Sequence, residues 1–287
     1  QQIDSILTAN IVDVKHAESF NSLVIQDAGG RMKPAHTFAS ELVRKVTHSE
    51  IFKGMNASQV FLSMQENPRF WEVVPMIYLE KEDNNQIRKL LGLPKNTTHA
   101  SLSDFLTPEG AYKIKDDIAA AQKIKIQNKF EKDLLKIDRR VSLVYQSLYG
   151  NIFKIFPIPN DPNNKWVSQV ETLHAGFKGT DSVFVRQVLP VYKQILQKAK
   201  ETNDYKQADK VLEGIKRFQQ KFGANVIPSE DKIRLEIKYN KLKVFSQLSK
   251  YYGLFGVLLI FLVLAQIFAN KKVINLLVKA FIAIIII

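Results

Sequence analysis

Side chains that could do chemistry are few in this chain and stand at no catalytic spacing. The five histidines, His16, His36, His48, His99 and His174, are scattered, and no two lie three or four residues apart, as a helical metal pair would need. A lone imidazole without a second ligand nearby reads as structural or solvent-exposed. Cysteine is absent, which removes disulfides, thiolate metal sites and cysteine nucleophiles. Asp116 and Asp117 are adjacent carboxylates, but neighbours on a helix point about 100° apart, so they read as a solvated face and not as an acid/base couple. No G-x-S-x-G, P-loop or H-E-x-x-H occurs, and Gly29-Gly30 is a turn rather than the spaced glycines of a dinucleotide site.

The densest group of polar candidates follows that turn: Asp27, Gly30, Arg31, Lys33, Pro34, Thr37 and Glu41. Gly30 can supply a positive φ, Pro34 leads out of the turn, and Thr37 is expected to cap a helix that carries Glu41, Leu42 and Val46. Arg31 is expected to pair with Asp27 or Glu41 as a structural contact, the alternative being an exposed cation that meets an anionic ligand or partner. Catalytic and metal-binding residues are expected to be absent.

The elements that must position these residues are read from periodicity. In residues 1–108 the pattern is mixed α/β: strands at 11–14, 23–26 and 73–79, a helix from the Asn56 cap, a short helix from Asn85 to Gly92, and a polar loop over 96–108. Residues 109–250 read as mainly helical. Apolar residues from Ile114 to Leu148 recur at threes and fours as one or two amphipathic helices. A loop at 155–166, irregular because of its three prolines, precedes helices at 182–200, with Pro190 inside, and 204–222, capped by Gly223. A last helix from the Ser229 cap runs on without an obvious break.

The chain of 287 residues carries 41 Lys+Arg against 28 Asp+Glu, net +13, which favours anionic surroundings. Acidic residues interrupt the basic runs and no recognition module is evident, so nucleic acid is not expected as a partner. Residues 251–269 (YYGLFGVLLIFLVLAQIFA) contain no charge and as a helix would cross most of a hydrocarbon core of roughly 30 Å. Tyr251 and Tyr252 stand at one expected interface, and Lys238, Lys241, Lys243 and Lys250 would meet anionic headgroups. After a turn at 270–272, residues 273–287 read as the start of a second membrane helix. Both ends read as cuts in a longer protein.

The stretch VIQDAGGRMKPAHTFASELVRKV (24–46), with GMNASQVFLSM (54–64), WEVVPMI (71–77), SLSDFLTPEGAYKIKDDI (101–118), IFPIPNDPNNKWVS (155–168) and YNKLKVF (239–245), resembles the large extracytoplasmic loop of the system II cytochrome c biogenesis proteins. It is most similar to the fused CcsBA (ResB–CcsA) type, in the ResB half and the membrane helix that follows. The resemblance implies a cytochrome c synthase of the haem lyase kind in the bacterial cytoplasmic membrane. Such a protein carries haem outward and joins it to Cys-x-x-Cys-His of apocytochrome c. This chain would be its periplasmic platform, with apocytochrome c and the remaining membrane helices as partners. The family's membrane histidines and tryptophan-rich WWD segment are not found here: Trp71 and Trp166 lie before the apolar run, and no histidine falls within 251–287. Haem would belong to the parent protein and not to this segment alone. An envelope scaffold or binding module without haem chemistry is the alternative.

Overall fold

Short polar side chains set the helix starts, by accepting from backbone amides that have no partner within the helix. In the computed structural model, which describes residues 2–80, 85–150, 152–269, 276 and 279, Asp13 Oδ1 accepts from the amides of Lys15 and His16. Asn56 and Asn128 each close a capping box, with Gln59 and Glu131. In chain order the elements are α1 (Gln2–Ala9), α2 (Val14–Asn21), β1 (Val24–Gln26), β2 (Met32–Pro34), α3 (Ala35–Thr47), β3 (Ile51–Phe52), β4 (Met55–Asn56), α4 (Ala57–Glu66), α5 (Pro68–Glu72), β5 (Ile77–Tyr78), α6 (Gln86–Leu91) and β6 (His99–Ala100). There follow α7 (Lys115–Lys123), α8 (Lys129–Leu148), β7 (Phe156–Pro157), β8 (Trp166–Val167), α9 (Gly179–Thr202), α10 (Lys206–Gly223), α11 (Glu230–Leu242) and α12 (Val244–Ala269).

The strands form four antiparallel pairs, β1 with β2, β3 with β4, β5 with β6 and β7 with β8, and each sheet holds two strands. The architecture is therefore mostly helical, and the α/β character expected of the first part reduces to these small pairs. Helices α2, α3, α4, α8, α9 and α10 enclose the apolar core. Phe20, Phe38, Phe61 and Phe153 meet there, with ring centroids 5.0 to 6.2 Å apart. Trp71 is fully buried, and its Nε1–H donates to Ser63 Oγ at 2.9 Å. The buried Gln219 of α10 satisfies strand edges: it donates to Val24 O at 2.8 Å and Ile155 O at 3.0 Å and accepts from Val24 N.

Several expectations are corrected. Residues 11–14 are not a strand, because the Asp13 cap starts α2 at Val14. Thr37 is not a cap: α3 begins at Ala35, whose N–H bonds Leu23 O at 2.7 Å, and Thr37 is buried inside the first turn. Of 73–79 only Ile77–Tyr78 is strand, and its partner is His99–Ala100, inside the segment expected to be loop. The three prolines after Ile155 do not prevent a hairpin: Phe156 pairs with Val167 and Pro157 with Trp166, the next donor being Ile158 N–H to Lys165 O at 3.0 Å. Gly223 is the last residue of α10 and not its cap, which is Ala224.

The chain separates into two compact units, Gln1–Arg234 and Leu235–Ile287. In the second, the uninterrupted helix expected from Ser229 onward is broken at Lys243, which has φ 50° between α11 and α12. Within α12 the stretch Gln247–Ala265 is long and apolar enough to cross a membrane by length and composition. None of it is buried: Ile260 is 61% and Phe261 65% exposed. The expected turn at 270–272 and second membrane segment at 273–287 lie outside the described residues, apart from positions 276 and 279.

Candidate functional site

The turn after β1 is built by Asp27. Its Oδ1 accepts from Gly29 N at 2.9 Å and Arg31 N at 3.0 Å, Gly30 N–H bonds Asp27 O at 3.0 Å, and Gly30 takes φ +82°, which a residue with a Cβ adopts only under strain. Lys33 pairs with both carboxylates of this group. Its buried ammonium lies 2.9 Å from Asp27 Oδ2 and 3.1 Å from Glu41 Oε2. Burial works against the lysine's charge, but the two carboxylates outweigh it and its pKa stands above the ordinary lysine value. Burial likewise works against Asp27, and Lys33 with the backbone amides of Arg31 and Gly29 holds its pKa below the usual carboxylate value. Asp27, Gly30, Lys33, Pro34 and Glu41 thus form one constellation that joins β1, β2 and α3. Thr37 lies in the first turn of α3, and the Arg31 side chain is exposed.

Two polar clusters go beyond what the spacing suggested. Arg140 of α8 is buried and donates to Lys45 O (3.2 Å), Tyr78 O (2.8 Å), Glu80 Oε1 (2.8 Å) and His48 Nε2 (2.6 Å). His48 stacks on Tyr78 with centroids 4.2 Å apart, and burial and the Arg140 charge lower its pKa. In the other cluster, His16 is buried with Nδ1 2.7 Å from Asp209 Oδ1 and Nε2 2.8 Å from the Tyr192 hydroxyl. Desolvation lowers its pKa, more than Asp209 raises it. The neutral ring that donates from Nδ1 and accepts at Nε2 satisfies both contacts.

These contacts bear on haem. An axial ligand needs an available imidazole nitrogen. Both ring nitrogens of His16 are occupied, Nε2 of His48 is taken by Arg140, and His99 bonds Thr47 O and Thr98 Oγ1 at 3.1 Å each. Among the described residues no group of three or more His, Asp or Glu could hold a metal ion. His16 and His99 do not fit a haem site.

A cleft of about 350 Å³ opens beside the core, lined by Leu148, Tyr149, Phe153, Val170 and Leu189 and by the polar Gln169 and Lys193. Gln169 and Lys193 were not singled out by any motif. The available signal was Pro190 inside α9, which unpairs a carbonyl and so calls for a polar partner nearby.

No family model matches the chain. It is 32% identical over 247 residues to Protein NrfI of Wolinella succinogenes, an alignment that takes in 85% of this chain and 26% of that protein. The chain therefore spans about a quarter of the length of the relative it matches. This likeness supports, at the level of the family, the resemblance to the system II cytochrome c biogenesis proteins carried by the ordered segments from Val24 to Phe245.

Proposed function

We propose that the chain is the extracytoplasmic platform of a membrane-integral cytochrome c maturation protein, of the fused CcsBA kind, in the bacterial cytoplasmic membrane. The observation that carries the reading is the 32% identity to Protein NrfI across 247 residues, which supports cytochrome c maturation at the level of the family. In this reading α12 crosses the bilayer, and the unit Gln1–Arg234 stands on the periplasmic side, where apocytochrome c arrives. Lys238, Lys241, Lys243 and Lys250 lie close before the apolar stretch, where anionic headgroups would meet them. Haem delivery and its attachment to Cys-x-x-Cys-His are assigned in this reading to other helices of the parent protein; the occupied ring nitrogens of His16 and His99 support it.

In-frame removal of residues 2–234 from the parent, with membrane insertion verified, is expected to abolish maturation of a Cys-x-x-Cys-His reporter. Full maturation by the truncated parent would overturn the reading in favour of an envelope scaffold without a part in haem chemistry. The purified chain is expected to titrate with haem weakly and without a sharp one-to-one Soret band.

A further inference from the structure

Pro190 lies in the interior of α9, and a proline nitrogen cannot donate to the carbonyl four residues earlier. That carbonyl, Arg186 O, accepts instead from Gln169 Nε2–H at 2.7 Å. Held by its nitrogen, the Gln169 amide leaves Oε1 buried with no hydrogen-bond partner, a state that native structures rarely tolerate. Gln169 lines the cleft, and so does Lys193, which follows Pro190 by three residues on the same face of α9. From residue 186 to residue 193 the helix rises by about 10 Å, and a helical side chain leans back toward the N-terminus, so Lys193 extends toward the turn that Gln169 caps, and both residues line the one cleft.

The Lys193 side chain makes no ion pair and no hydrogen bond among the described residues. The carboxylate that attracts it, Glu66, is already held by Lys200 at 2.6 Å. The cleft thus offers one under-compensated cation and one buried acceptor, set in a wall of Leu148, Phe153 and Leu189. A ligand that answers all three carries an anionic group, an N–H and an apolar body. Its size is bounded as well, since about 350 Å³ stands at the small end of binding cavities.

We propose that this cleft captures the C-terminus of a peptide that ends in an apolar residue. The terminal carboxylate meets Lys193 Nζ, the last backbone N–H donates to Gln169 Oε1, and the apolar side chain enters between Leu148, Phe153 and Leu189. Val170 and Leu173, 51% and 59% exposed, provide an apolar path for the preceding residue. The inference does not rest on the cytochrome c reading.

The test uses the full chain in detergent and N-acetyl-L-leucine, followed by ligand-observed NMR or calorimetry. Saturable binding in the millimolar range is expected. N-acetyl-L-leucinamide, which lacks the carboxylate, and 4-methylpentanoate, which lacks the amide donor, should each bind about tenfold more weakly. Lys193→Met should weaken the acid about tenfold and leave the amide unchanged, and Lys193→Arg should restore the acid to within about threefold. Absence of saturable binding, or equal affinity of the wild-type chain for acid and amide, would overturn the proposal. If Lys193→Met fails to fold, the acid-against-amide comparison on the wild-type chain decides alone.

Discussion

Lys33 and the carboxylates on either side of it show how far a local pattern can be read. The turn was legible because Asp27, Gly29 and Gly30 leave the backbone little else to do. Which of two nearby cations folds inward was not, since that is set by strand register: Lys33 lies opposite Ile25 in the β1–β2 pair and is carried to the buried side. A structural loss is therefore expected at Lys33. Lys33→Met, which keeps the stem and removes the charge, is expected to lower stability by about 1–3 kcal/mol at pH 7, because Asp27 and Glu41 then share a partly buried site without their cation. The pH dependence has a definite sign. Asp27 is depressed in the folded state, so its contribution is present above the unfolded value of about 3.9 and is lost as pH falls through the folded value. Lys33 is raised, so its contribution is present below about 10.4 and is lost as pH rises through the folded value. Melting curves of the two proteins should thus converge below about pH 4. A separation that stays constant from neutral pH to about pH 2.5 would contradict the assignment.

Helices were more legible than strands, for a physical reason. Periodicity over Lys129–Leu148 reports a face that α8 buries along its whole length, whereas a two-residue strand such as β6 or β7 has no period to read and is held by its partner from elsewhere in the chain. Glycines in α10 show the same divide between local and tertiary information. Gly214 and Gly223 look equivalent by propensity, yet a Cβ at Gly214 would meet only Phe184 at 3.9 Å, while one at Gly223 would lie 2.5 Å from Trp166 Cζ2. Trp166 is fully buried in the β7–β8 hairpin and has no slack to give. Gly214→Ala is therefore expected to stabilise the protein by about 0.5–1 kcal/mol, through lower backbone entropy in the unfolded chain. Gly223→Ala is expected to destabilise it by about 1–3 kcal/mol, through overpacking. Denaturant midpoints of the two variants should move in opposite directions; a shared direction would mean that the Trp166 contact does not set the difference.

For the whole molecule, the question is which side of a bilayer the compact unit faces, and two arguments oppose each other. Lys232, Arg234, Lys238, Lys241, Lys243 and Lys250 precede the apolar stretch and Lys271, Lys272 and Lys279 follow it, so a count of positive charge assigns the preceding side to the cytoplasm. The proposed function requires the opposite. The charge rule is weakest where a large folded domain precedes the helix, because such domains translocate largely regardless of charge. A unit that reaches Arg234 with its own buried core is that case. A topology reporter must not break the fold it reports on. The segment 96–101 is unsuitable, since Thr98 O accepts from Leu79 N at 2.9 Å and Ala100 pairs with Ile77. The junction of Lys125 and Ile126 is suitable, because it joins α7 to α8 and Ile126 is 92% exposed. A periplasmic-active phosphatase inserted there is expected to be active, and a cytoplasmic-active reporter at the same junction silent. The reverse pair of results would place the compact unit in the cytoplasm and sink the platform reading, whatever the likeness to Protein NrfI.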